Sequence, residues 1–188
     1  LPPRDATVET GARPYELVRL LAELPAVPLP PIPGTVGVGI GEVNLRAFTL
    51  RNLRIDATQQ DGAWQIRQLS AALPGNSLVS LTGTVTPVSN RTSFAGRVTL
   101  TSAQVGVLSQ LWRAGRNEQA LLGVAARFES AVALVGETLS LSRGKLTVDG
   151  ATHDLSAEIG FGSTSRHLNL DLDLAPVTAA QSAALGGL

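Results

Sequence analysis

From Val36 to Leu174, long stretches of the chain alternate apolar and polar residues. A period of two is the mark of a strand with one greasy and one wet face. The last stretch is the clearest: Leu168, Leu170, Leu172 and Leu174 alternate with Asn169, Asp171 and Asp173. Val79, Leu81, Gly83 and Val85 form a similar strand, and Phe94, Gly96, Val98 and Leu100 form the next. In three places the phase slips by one residue. Phe48 and Leu50 share one phase, whereas Leu53, Ile55 and Ala57 share the other. Trp64 and Ile66 give way to Leu69, Ala71 and Leu73; Leu139 and Leu141 give way to Leu146 and Val148 across Arg143-Gly144. A one-residue slip would turn the greasy side to water, so each is expected to be a bulge or bend. Asp61-Gly62, Pro74-Gly75-Asn76 and Gly150 are turn signals.

Helical spacing is confined to short stretches. Leu17, Leu20, Leu21 and Leu24 predict a helix from Pro14 to Leu24, stopped by Pro25. The linker Ala26 to Gly34 carries Pro28, Pro30, Pro31 and Pro33, which keep it extended. Val105, Leu108, Leu111 and Trp112 predict a second helix closed by Gly115, and a third runs from Val177 to Leu185. Gly150 follows Gly75 by 75 residues, and the same offset lays Trp64, Ile66, Ala71 and Leu73 on Leu139, Leu141, Leu146 and Val148. The expectation is a mainly β fold with a few short helices. Its curved, antiparallel-rich sheet forms an open groove, built from two strand-rich units each closed by a helix. The divisions are 1–34 for the N-terminal helix and linker, 35–115 for the first unit and 116–188 for the second, in one continuous structural domain.

Composition narrows the chemistry. The chain has 188 residues, 44% apolar and 16% charged, with 15 acidic and 15 basic side chains. Scattered arginines and zero net charge offer no stripe for nucleic acid or anionic headgroups. There is no cysteine, so thiol chemistry and disulfides are excluded. No apolar run reaches the ~20 residues that span a bilayer. Leu1 is read as a cut point, and any anchor or export signal is expected outside this sequence.

No motif assembles a catalyst. His153 and Asp154 are neighbours on a strand and point to opposite faces, so they cannot couple. His153 and His167 are read as surface histidines at strand ends, since a catalytic base needs partners in reach. Asp171 and Asp173 read as a solvated face. Gly34 to Gly41 has glycines without the lysine or the helix that a phosphate loop needs, and reads as a glycine-relieved strand. The chain is therefore expected not to be an enzyme and to take no cofactor and no metal.

Gly41 to Ser102 combines several features: LRNLRIDA, then WQIRQLSAALPGNSLVSLTG, then the hairpin strand FAGRVTLTS, then a helix with LSQLW. This combination resembles the AsmA family of bacterial envelope proteins. The likeness covers Arg13 to Pro176, most clearly Val43 to Trp112, with Leu73-Pro74-Gly75 and Gly83 its most distinctive points. The resemblance implies a long curved sheet forming a trough lined with apolar side chains, similar to bridge-type lipid-transfer proteins. It implies a bacterial periplasmic location, tethered to the inner membrane by a segment not present here. It implies a part in binding or conducting phospholipid toward the outer membrane, supporting its assembly and integrity. The expected partners are phospholipid or another acyl-chain lipid and adjoining segments of the same longer chain. No nucleic acid is expected, and membrane contact only through the outside anchor. The residues expected to touch lipid are Val79, Leu81, Val85, Phe94, Val98, Leu100, Leu168, Leu170, Leu172 and Leu174. The alternative is a non-enzymatic structural or interaction β-domain, adhesin- or scaffold-like, whose apolar faces meet in a sealed core.

Overall fold

The computed structural model describes residues 33–44, 49–88, 91–109, 123–162, 166–179 and 181–182. The expected helix Pro14–Leu24 and its linker lie almost wholly outside these residues, as do Leu111, Trp112, Gly115 and Leu185. The strands are β1 (Gly34–Asn44), β2 (Thr49–Gln60), β3 (Ala63–Leu73), β4 (Ser77–Val88) and β5 (Arg91–Ser102). After the short helix α1 (Val105–Ser109) come β6 (Ala126–Val135), β7 (Thr138–Val148), β8 (Ala151–Phe161) and β9 (Arg166–Asp173). They form a single sheet of nine strands in chain order, each antiparallel to the next. The sheet is curled and unclosed. Pairing runs from β5 to β6 as it does elsewhere, so the sheet has no seam.

Turn chemistry sets this up-and-down order. Asp61-Gly62 and Asp149-Gly150 both take positive φ at both positions, the arrangement whose twist matches a tight hairpin. Gly75 also has positive φ, and a Cβ there would stand 2.6 Å from the Gln104 carbonyl oxygen. The glycine therefore lets the β3–β4 turn back onto the entry to α1. The Gln104 N–H donates to Gly75 O at 3.2 Å, and the Ser77 hydroxyl donates to Pro74 O at 2.7 Å.

The phase slips are bulges. Pairing between β2 and β3 shifts between Arg51 and Arg54, where Asn52 has φ of 51°. Pairing between β3 and β4 shifts between Ile66 and Leu69, and between β7 and β8 between Leu141 and Gly144, where Arg143 has φ of 53°. An extra residue on one strand restores the greasy phase and bends the ladder, which adds to the curl.

Tight packing is local. Val105 and Val148 form a buried pair, with Val124, Ala126 and Leu146 against it. Leu108 is also buried. This knot lies where α1 folds over one end of the apolar face. The Val105 N–H donates to Val124 O at 3.0 Å and ties the helix to the chain entering β6.

Candidate functional site

The register places almost all the strands' apolar side chains on one face. One tier crosses the sheet as Gln59, Trp64, Val85, Phe94, Leu134, Leu139, Ile159 and Leu168. The next is Val36, Ala57, Ile66, Gly83, Gly96, Val132, Leu141, Ala157 and Leu170. A third includes Val38, Ile55, Leu69, Leu81, Val98, Leu155 and Leu172. A fourth runs Ile40 and Leu53 on one side, Ala71, Val79, Leu100, Phe128, Leu146 and His153 on the other. Alternation brings Leu174 to the same face, one step past the end of β9.

All ten sequence-nominated residues thus share a face, but they do not form one cluster. Val79 pairs with Leu100, Leu81 with Val98 and Val85 with Phe94 in the middle of the sheet. Leu168, Leu170 and Leu172 pair with Ile159, Ala157 and Leu155 at the far edge. The residues between the two groups, on β6, β7 and β8, complete the face. The alternation in β6 was the weakest signal, because Ser130 interrupts Phe128, Val132 and Leu134.

Exposure varies across this face. In the middle, Val79, Leu81, Val85, Phe94, Val98 and Leu100 are half-buried, and Trp64, Ala57, Ala71 and Val132 are buried. At the rims the apolar side chains stand open: Val36 is 41% exposed, Ile40 40%, Leu168 64% and Leu170 58%. The opposite face carries Thr58, Arg54, Thr82, Arg97, Ser140, Glu158 and Asp171. Since the sheet curls and its apolar residues are the less exposed set in mid-sheet, the apolar face is the inside of the curl. Gly83 and Gly96 face each other at its centre. A Cβ on Gly83 would come 2.7 Å from the Phe94 ring, so the ring covers the glycine pair. A hollow of about 210 Å³ lies where α1 meets the sheet, lined by Leu100, Val105, Leu108, Phe128 and Leu146 among others.

Among the described residues, two buried polar atoms on this face lack a hydrogen-bond partner, Gln59 Oε1 and His153 Nε2. The placement of His153 corrects the expectation of a surface histidine: it is 1% exposed. The odd residues of β8 point inward, and the Ala175 N–H donates to His153 Nδ1 at 3.1 Å. An accepting Nδ1 in a neutral ring leaves the hydrogen on Nε2. The ring therefore pins the chain as it leaves β9. His167 does lie at the surface, with Nε2 3.0 Å from Glu158 Oε1. Asp171 and Asp173 are exposed on the outer face.

The outer face is held by polar cross-strand pairs. Lys145 Nζ lies 2.5 Å from Asp154 Oδ1 directly across β7 and β8, and Thr84 donates to Gln65 Oε1 at 2.9 Å. Such exposed pairs fix register more than they stabilise. Among the described residues, no group of three or more His, Cys, Asp or Glu could hold a metal ion. No helix among them is long and apolar enough to cross a membrane. Comparison of the chain with protein-family models, with curated proteins and with solved structures finds no match.

Proposed function

We propose that this chain is a segment of an AsmA-like protein of the bacterial periplasm that binds or conducts phospholipid along the inner face of its sheet. One observation carries the reading: a continuous apolar face on a curled, unclosed sheet, half-buried in the middle and open at both rims. A sheet that served only its own stability would bury such a face under a second layer. Among the described residues, α1 covers only one end.

Size and energy suit an acyl chain. Four tiers along a strand extend about 20 Å. One leaflet's hydrocarbon layer is about 15 Å thick. Each methylene taken from water gains about 0.8 kcal/mol, with no polar recognition required. Away from the β1 and β9 edges the sheet's backbone groups are paired with one another, so side chains alone meet the lipid there. In this reading the protein is not an enzyme and needs no cofactor. Its inner-membrane tether and the rest of its trough lie in adjoining segments of a longer chain, and its work supports the outer membrane.

The same reading treats the fold as two related units. The bulge on β3 near Arg67 and the bulge on β7 near Ser142 and Arg143 lie about one repeat apart. α1 follows β5, and a capped turn follows β9, where Thr178 N–H donates to Gln181 Oε1 at 2.9 Å and Gln181 N–H donates to Thr178 Oγ1 at 3.3 Å. Repetition of such a unit would lengthen the trough without changing its lining.

Mass spectrometry of organic extracts from the purified protein tests the reading. Acyl lipids recovered in near-stoichiometric amount are the expected result. Extracts free of lipid, from protein expressed in a Gram-negative periplasm, contradict it.

A further inference from the structure

We propose that β1 is a self-pairing edge, through which two copies of the chain join as antiparallel strands across a two-fold axis. This goes beyond lipid binding, and it requires that adjoining segments of the longer chain leave free the β1 edge, which ends the sheet among the described residues.

The two edges of the sheet are unlike. β9 presents Asp171 and Asp173 on its outer face, and Pro176 follows shortly after. Charges and proline are what guard an edge against pairing. β1 has no charge and no proline from Gly34 to Gly41, and its inner face exposes Val36, Val38 and Ile40. On its outer face Gly37, Gly39 and Gly41 carry no side chain to obstruct a neighbour. Pro33 precedes this stretch and Glu42 follows it, but the eight residues between present an apolar row with no guard, which is a template for another strand.

The sequence of β1 selects a second β1 as that strand. Val36-Gly37-Val38-Gly39-Ile40 reads nearly alike in both directions. With Val38 opposite its own counterpart, Val36 meets Ile40 of the other copy twice over, and Gly37 meets Gly39. Every apolar residue then has an apolar neighbour on the same face, which is the unit of sheet stabilisation. Moving the axis to Gly37 would set Ile40 against Gly34 and lose an apolar pair.

Strand direction favours the same arrangement. β1 and β9 are the first and last of nine alternating strands, so they run in the same direction. Joining β1 to β9 with the apolar faces on one side would make a parallel pair, the weaker kind of ladder. A two-fold axis through Val38 keeps the pairing antiparallel and the apolar face continuous across both copies. The same patch then serves both subunits, as a two-fold interface requires.

Sedimentation equilibrium of the full chain from micromolar to millimolar concentration is expected to show a monomer–dimer equilibrium. Gly39→Lys tests the edge, since a Cβ at Gly39 has no atom within 4 Å and the monomer can hold the side chain. It should weaken dimerisation roughly tenfold or more, with an unchanged circular dichroism spectrum. Asp171→Asn, at the other edge, should leave the equilibrium unaltered. Gly34 is equally unobstructed and the chain has no cysteine, so Gly34→Cys takes a single spin label. The register centred on Val38 sets the two labelled backbones about 27 Å apart along the strands. A monomer at every concentration, as expected if another segment lies along β1, overturns the proposal. So does a dimer indifferent to Gly39→Lys, or a label distance that fits pairing through β9.

Discussion

At Arg143 the backbone adopts a left-handed conformation that a side chain disfavours, with φ of 53°. The residue is exposed, so its side chain contributes little packing. For a non-glycine residue that conformation costs about 1–2 kcal/mol. Glycine removes the cost but adds about 0.4–1 kcal/mol of freedom to the unfolded chain. Arg143→Gly should therefore stabilise the protein by about 0.5–1 kcal/mol, read as a higher urea midpoint with unchanged slope. A loss of stability would mean that the side chain holds the bulge. Leu170 poses the opposite question. It is 58% exposed at the rim, so Leu170→Arg should change stability by no more than about 0.5 kcal/mol. If the rim borders a lipid path, lipid recovered with the variant should fall. Unfolding of the variant would instead show that Leu170 is packed in a sealed interior. The bulges were legible in the sequence because a greasy phase that slips must be repaired by an extra residue. The burial of His153 was not legible, since it depends on Ala175 returning over the ring, a contact between residues 22 apart.

At the scale of elements, α1 and β9 make opposite demands on their leucines. Leu108 on α1 is 2% exposed, while Leu168 on β9 is 64% exposed. Leu108→Ala should cost about 2–4 kcal/mol and Leu168→Ala less than about 0.5 kcal/mol, by thermal or urea unfolding. Equal losses would place a hidden second core along β9. Most strands were readable from period two, and three of the hairpins from Asp61-Gly62, Pro74-Gly75-Asn76 and Gly150. β6 was missed because Ser130 stands where its apolar phase should continue. The structure explains that serine: it is 2% exposed, and its hydroxyl lies 2.8 Å from Ala131 O and 3.0 Å from Ser142 O beside the β7 bulge, with one hydrogen to share between them. The expected second helix is present from Val105 to Ser109, and the remainder of that prediction falls outside the described residues.

At the scale of the whole molecule, nine sequential antiparallel strands among the described residues give one sheet with one apolar side, and that number leaves the two edge strands parallel to each other. Local hairpins are enough to build this order, so it follows closely from turn and strand signals. What the alternation could not supply is the third dimension, because a period of two reports burial without naming what does the burying. The curl turns the apolar face inward. The most direct test is methyl NMR with a doxyl-labelled phospholipid delivered from vesicles. The nitroxide should broaden the methyl signals of Leu81, Val98 and Leu170 on the inner face. Leu78 and Val135, exposed at 52% and 66% on the outer face, should stay sharp. Sharp inner signals throughout, or equal broadening on both faces, would contradict a lipid path inside the curl.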